Sequence, residues 1–305
     1  GSYVSQGVGG PLTGKKVDCV AWDSVIQTDC GEIRINDLRS KVFPVKILSK
    51  NILKLCIHHL NLLKMLKSCI FLVKTIPHMI NNIIEKYKEI LRDVANWAHS
   101  IKGEDGEKVP VIFRPFHEFD GEWFWWGAPH CSVEEFKILW KFTVSYLRDE
   151  LKVHNFIYAF SPDNKFNNES QFLERYPGDE WVDMVGMDNY GDMGRDGYNL
   201  ERASRKLKIV SDYAIKAGKL AAFTETGLES IPNTTWWTDT LLKVMKTDNL
   251  RLSYVLVWRN DIRSPTHYYA PFPGHISAPN FIEFYNDPFT LFEKDLKNIY
   301  KIKME

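Results

Sequence analysis

Net charge is the first thing this sequence lacks: its 39 lysines and arginines are matched by 39 aspartates and glutamates across 305 residues. Without a basic excess there is no electrostatic capture of nucleic acid or of an anionic membrane, so neither is expected as a partner. A neutral polymer needs no such steering. Uninterrupted apolar runs of about 18 residues, the length of a spanning helix, are also missing. The Leu53–Leu72 stretch comes nearest and is broken by Lys54, His58, His59, Lys64 and Lys67. The five cysteines (Cys19, Cys30, Cys56, Cys69 and Cys131) show no CxxC spacing and no even-numbered framework, which points to thiols rather than a disulfide scaffold. His130 beside Cys131 finds no second ligand pair at zinc-like spacing, so no metal is expected. Gly1-Ser2 reads as a tag scar, with any signal peptide already removed.

A second absence is local. From Leu38 to Ile84 there is no Asp, Glu, Gly or Ala, while Lys, Leu, Ile and Asn crowd the window. Strand–helix turns favour glycine and helix starts favour acids, so this composition is foreign to an ordinary α/β segment. Three accounts are open: divergent early strands such as 41–48 and 68–76, a partner-binding or interfacial helix, or a stretch where the coding frame was displaced and later restored. The third is favoured.

What is present reads more plainly. Lys16–Trp22 is a candidate first strand. Ile80, Ile83, Ile84, Tyr87, Ile90, Leu91, Val94, Trp97, Ala98 and Ile101 recur at three- and four-residue spacing, predicting a helix over 79–101 with one buried face. Strands follow at 109–116, 155–160, 182–187, 220–224 and 253–258, and helices at 133–150, 200–217, 235–247 and 287–301. Ser132 with Glu135 forms a capping-box signature. The tail from His267 to Phe284 is rich in proline and aromatics. Strands alternating with helices indicate a parallel α/β architecture, and the length suits one large barrel of about 250 residues or two smaller domains.

The chemistry concentrates in Val111-Ile-Phe-Arg-Pro-Phe-His-Glu-Phe-Asp-Gly-Glu-Trp-Phe-Trp-Trp-Gly127. An apolar strand start leads to Arg114, His117 and Glu118 at its carboxyl end, where barrels of parallel strands carry their chemistry. Trp123, Trp125 and Trp126 follow, and indole faces pack on the C–H faces of sugar rings as on other apolar surfaces. Glycoside hydrolysis takes two carboxyl groups. The second candidate is Glu225 in Leu220-Ala-Ala-Phe-Thr-Glu-Thr-Gly227, 107 residues further on. That interval holds about three strand–helix units of roughly 30 residues, placing one carboxylate after a fourth barrel strand and the other after a seventh.

Arg-Pro-Phe-His-Glu-x-x-Gly-x-Trp-Phe-Trp-Trp-Gly, then Tyr-Pro-Gly-Asp-Glu-x-Val-Asp-x-Val-Gly-x-Asp-x-Tyr-Gly-Asp, then Thr-Glu-Thr-Gly, in that order, resemble glycoside hydrolase family 26 over roughly residues 86–300. The resemblance implies a (β/α)8 TIM barrel with an atypical first third, over a single catalytic domain spanning 1–305. It implies a retaining endo-β-1,4-mannanase that acts without a cofactor on mannan, glucomannan or galactomannan. The alternatives are the same chemistry on mixed-linkage β-glucan or xylan, or a polysaccharide-binding protein without turnover. Glu118 would be the general acid/base and Glu225 the nucleophile. His117 and Tyr190 match residues that hydrogen-bond near the nucleophile, and Trp123 and Trp258 match residues lining the sugar subsites. Asp188 would either position a sugar hydroxyl or hold its loop, and Arg259 and Asn260 would bond sugar hydroxyls on the glycone side. Arg114 is read chiefly as a salt-bridge residue of the barrel, Trp125 and Trp126 as loop braces, and Trp236, Trp237, Tyr268 and Tyr269 as lesser sugar-site candidates. The family's usual Trp-His pair on the third strand has no counterpart in residues 38–85. A monomer at a secreted, periplasmic or cell-surface address is expected.

Overall fold

The computed structural model describes residues 24–27, 77–103 and 106–296. The candidate strands at 16–22, 41–48 and 68–76 lie outside them. The described strands, β1 (Ser24–Gln27), β2 (Val111–Phe113), β3 (Phe156–Phe160), β4 (Met184–Asp188), β5 (Leu220–Thr226), β6 (Val255–Val257) and β7 (Thr290–Leu291), form one sheet in the order β2-β3-β4-β5-β6-β1-β7. Strands β2 to β6 run parallel in sequence order. The short β1 pairs antiparallel with both β6 and β7. This is an α/β fold in which helices occupy the crossovers between parallel strands.

The helices are α1 (Pro77–Ser100), α2 (Val133–Ser145), α3 (Glu169–Phe172), α4 (Leu200–Ala217), α5 (Lys243–Met245), α6 (Ala278–Asn286) and α7 (Glu293–Leu296). α1 falls where the apolar spacing predicts it and buries Leu91, Ala95 and Ala98. α2 begins with the expected capping box: Ser132 accepts from the Glu135 N–H, and Glu135 accepts from the Ser132 N–H. Such a cap contributes roughly 1 kcal/mol. After α2 the chain widens into a π turn over Tyr146–Glu150. α4 has the predicted bounds, capped by Asn199 and ended by Gly218 in the left-handed conformation. Two readings differ from the structure. The helix expected at 235–247 is mostly a π turn (Trp236–Leu242) running into α5, and the proline-rich tail contains a helix, α6, that opens with Pro279 in its first turn. The closing helix expected at 287–301 is, within the described residues, the short β7 followed by α7.

Strands β3, β4 and β5 are buried on both faces, which is why they read as apolar runs rather than alternating ones. One face holds the main core, where Phe136, Trp140, Phe160, Phe172 and Phe223 pack under the helices. The other carries a small cluster of Ala159, Met184 and Ala222 against Ile112, Ile157 and Leu220. Strand periodicity of two continues those rows toward the carboxyl ends: Ile112 to Arg114, Ala159 to Ser161, Met184 to Gly186 to Asp188, Ala222 to Thr224. Each apolar row therefore ends in a polar side chain, and those ends converge.

Candidate active site

Arg114 stands at the centre of that convergence. Its Nη1 donates to Asp188 Oδ2 at 2.6 Å and to Ser161 Oγ at 3.1 Å, and its Nη2 donates to Glu225 Oε2. Asp188 is fully buried, and its second oxygen accepts from Thr224 Oγ1 at 2.7 Å. A register shift explains how consecutive residues Thr224 and Glu225 both reach one place. The β4–β5 ladder slips between Met187 and Asp188, so that Asp188 faces Glu225 across the strands. A bulge of this kind re-aims a side chain that strict alternation would send to the opposite face. Gly186 is required nearby, because a Cβ there would collide with the Thr224 side chain.

Glu225 is 5% exposed. Its Oε2 accepts from Arg114 and its Oε1 from the Tyr190 hydroxyl at 2.7 Å, so both oxygens are oriented. Burial, together with the Glu225 charge, pushes the Tyr190 phenol well above its ordinary range, so it stays a donor. Tyr269 braces Tyr190 edge-on, with ring centres 5.8 Å apart.

Glu118 is presented differently. It sits on the loop after β2 with φ of +52°, two residues after Phe116 at +53°. Left-handed backbone is uncommon for residues with a Cβ and costs on the order of 1–2 kcal/mol each. Surrounding contacts impose it. Phe116 is wedged edge-on among Trp125, Trp126, Phe136 and Trp140. The Glu118 N–H donates to Ser161 O at 2.9 Å. The Asp120 carboxylate accepts from the N–H groups of Asp163 (2.6 Å) and Lys165 (2.9 Å), tying this loop to the one after β3. Trp126 Nε1 donates to His117 O at 2.7 Å, so Trp126 braces the loop as expected. Trp123 is 49% exposed and donates from Nε1 to Glu118 Oε2 at 2.7 Å. A Cβ on Gly121 would fall about 2.5 Å from the Trp123 ring, so the glycine lets the indole lie close against its own loop.

Burial raises the Glu118 carboxyl to about 7; the Glu225 charge adds to the rise and the Trp123 hydrogen bond opposes it. For Asp188 burial likewise pushes upward, against the pull of Arg114. Burial and the Arg114 charge push His117 well below its ordinary range, leaving a neutral imidazole.

Of the sequence-predicted residues, Glu118, Glu225, His117, Asp188, Tyr190 and Trp123 come together at the carboxyl ends of β2, β4 and β5. A His117 ring nitrogen and carboxylate oxygens of Asp188 and Glu225 lie within 4.8 Å of one another. Arg114, bonded to both carboxylates, supplies the positive charge of that cluster. Among the described residues the His117 ring makes no hydrogen bond; its contacts are Phe124 and Trp126, at 5.0 and 6.2 Å between ring centres. Arg114 is thus a site residue that the sequence reading gave a mainly structural purpose. Its position four residues before Glu118, at the end of the same strand, is the signal. Trp258 is half-buried after β6 with the Arg259 guanidinium 5.7 Å from its ring centre, and Arg259 pairs with Asp261 at 3.5 Å. Asn260 is occupied within its own loop, bonding Tyr269 N, Ala270 N and Ala270 O. Trp236 and Trp237 are core residues, almost wholly buried, with Nε1 donating to Met193 O and Ser277 Oγ. Tyr268 faces His275 instead of the cluster.

A buried cation joining two carboxylates, a third carboxyl held protonated to near neutrality, and an exposed indole bonded to it define a site for acid–base chemistry on a flat-faced polar substrate. Comparison with known proteins gives the family. Residues 56–292 match the model of glycosyl hydrolase family 26, and the chain belongs to that family. The match reaches further upstream than the limit near residue 86 set by the motifs. The chain is 44% identical over 145 residues to a mannan endo-1,4-β-mannosidase of Bifidobacterium adolescentis, covering 46% of this chain and 14% of that one. It is 29% identical over 170 residues to a Bacillus subtilis protein of the same name, covering 54% and 43%. It therefore spans less than half the length of these curated relatives. Among solved structures, GH26C of a Muricauda species superposes with a TM-score of 0.68 at 43% identity, covering 72% of this chain and 60% of that one. A GH26 β-mannanase from Bacteroides ovatus superposes with a TM-score of 0.68 at 40% identity, covering 76% and 66%. Among the described residues no helix is long and apolar enough to cross a membrane.

Proposed function

We propose that the chain is the catalytic domain of a retaining endo-β-1,4-mannanase, built on a (β/α)8 barrel and acting outside the cytoplasm on mannan, glucomannan or galactomannan. The observation that carries the reading is the contrast between the two carboxyl groups: Glu118 is raised to about 7 beside a Glu225 whose oxygens accept from Arg114 and Tyr190. Glu118 donates its proton to the glycosidic oxygen as the C1–O bond breaks, and a Glu225 oxygen attacks C1 from the opposite face to give a glycosyl ester. Glu118, now a carboxylate, takes a proton from water as that water attacks C1, Glu225 leaves, and the sugar departs with its original configuration. Trp123, bonded to Glu118, offers its exposed face to the sugar on the leaving-group side. The mannosidases and β-mannanases it resembles support mannan as the substrate.

The test is release of reducing ends from purified linear mannan, glucomannan and galactomannan, with lichenan and xylan alongside, and proton NMR of the first-formed anomer. Faster release from the mannans, with the β-anomer appearing first, is expected. Preference for lichenan or xylan, or an α-anomer first, overturns the substrate or the stereochemistry respectively.

A further inference from the structure

The loop that carries Tyr190 is fastened to a helix. Asp192, two residues after Tyr190, is 2% exposed, and its Oδ1 accepts from two nitrogens of Arg202, Nε at 2.7 Å and Nη2. Arg202 lies in the first turn of α4 with its side chain 47% exposed. We propose that the Asp192–Arg202 pair is a positioning device, which sets the Tyr190 hydroxyl against Glu225 from a half-exposed helix residue. The inference rests on the mannanase reading for what Glu225 does, and adds two residues to the support of that side chain.

The pair reaches Tyr190 through Asn189. Asp192 Oδ2 accepts from Asn189 Nδ2 at 2.9 Å, and Asn189 Oδ1 accepts from the Asp192 N–H at 3.1 Å. Asn189 is wholly buried, and its main chain is stitched to β5 at the nucleophile: its N–H donates to Glu225 O at 2.9 Å, and its O accepts from Thr226 Oγ1 at 2.8 Å. Every polar atom of Asn189 is therefore bonded, which leaves it one orientation. Tyr190 and Gly191 span the gap between Asn189 and Asp192. A phenol on a backbone anchored at both ends delivers its hydroxyl to one place, and that place is Glu225 Oε1.

The same helix holds the neighbouring loop. Lys206, four residues after Arg202 and so on the same face of α4, is 5% exposed, and its Nζ donates to Asn164 O. Asn164 Nδ2 in turn donates to Asn189 Oδ1 at 2.9 Å. Two cations of one helix thus fasten the loops after β3 and β4, and both lines of contact end on Asn189. Burial pushes the Asp192 carboxyl up, but the hydrogen bonds from Arg202 and Asn189 outweigh it and hold the carboxyl below its ordinary range. An ionised Asp192 can serve the arginine with one oxygen and the asparagine with the other.

The test uses Arg202→Met, which removes the half-exposed partner and leaves Tyr190 and Glu225 in place. Carbon-13 NMR of tyrosine labelled at the ring carbon bearing the hydroxyl, with Tyr190 assigned by its loss in Tyr190→Phe, reports that hydroxyl's surroundings. The Tyr190 signal is expected to move in Arg202→Met, with kcat on mannan down about five-fold or more and KM within about two-fold of the parent. In a Tyr190→Phe background the same substitution should cost less than about two-fold, because no hydroxyl is left to place. Arg202→Lys keeps the charge but offers one nitrogen in place of two, and should fall between parent and Arg202→Met. Lys208→Met breaks an ion pair with Asp212 within the same helix and should change neither readout. Thermal melting checks the fold of each variant; should Arg202→Met not fold, Arg202→Lys decides by the same readouts. An unmoved Tyr190 signal, an unchanged kcat, or equal losses in both backgrounds would overturn the proposal and leave the pair a fastening of α4. Failure of the unmutated protein to cleave mannan would count against the mannanase reading alone, because the NMR comparison needs no catalysis.

Discussion

Glu118 and Glu225 carry the same side chain in opposite surroundings. Glu118 stands on a loop in left-handed backbone, takes one hydrogen bond from a half-exposed indole and titrates near 7. Glu225 ends a buried strand, where a guanidinium and a phenol occupy both of its oxygens. The difference teaches that role follows environment. On the proposed mechanism the carboxyl that holds a proton is given a single donor, and the one that attacks is given a fixed cation and a fixed hydroxyl.

The contrast can be broken from the Glu225 side with the largest effect. Glu225→Ala removes the attacking group and should lower kcat by about 10⁴-fold or more, measured as reducing-end release. Near-parental activity would remove Glu225 from the mechanism. Next comes Arg114→Met, which leaves Asp188 and Glu225 buried without their shared cation. A loss of about 3–5 kcal/mol in stability is expected from denaturant unfolding, with kcat down by about 10²-fold or more. Tyr190→Phe deletes a single hydrogen bond to a charged group, worth about 1.5–3 kcal/mol, and should lower kcat by roughly tenfold to a hundredfold and the melting temperature by a few degrees.

The Glu118 side sharpens the comparison through pH. Glu118 must be protonated to act as acid, so kcat/KM is retained below its pKa and lost as pH rises through about 7. Trp123→Phe removes the hydrogen bond that favours the ionised form, so the alkaline limb should move to higher pH. It should move to lower pH if the indole instead held Glu118 protonated.

Much of this site was legible in the chain. Glu118 and Glu225 each follow a short apolar run ending in polar residues, while Trp123, Asp188 and Tyr190 were singled out by the family resemblance, and all five come together in the structure. α1 and α4 were readable because their apolar periodicity is unbroken. Arg114 was under-weighted because a lone arginine does not reveal that Asp188 and Glu225 converge on it from strands 74 and 111 residues away. The β4–β5 register shift, which brings Glu225 beside Thr224's partner, leaves no mark in composition. Trp236 and Trp237 misled because an indole in a core and an indole in a sugar site have the same spacing and composition around them; only burial separates them. Helix α6 was hidden by proline in its first turn, where proline is tolerated.

The most direct measurement is the titration of Glu118 itself, followed by carbon-13 NMR of glutamate labelled at the side-chain carboxyl and assigned by loss of its signal in Glu118→Gln. A midpoint near 7 is predicted, falling in Glu225→Gln but staying above the ordinary glutamate value, because burial is the larger cause and the Glu225 charge the smaller. A midpoint near the ordinary value in both proteins would contradict the account.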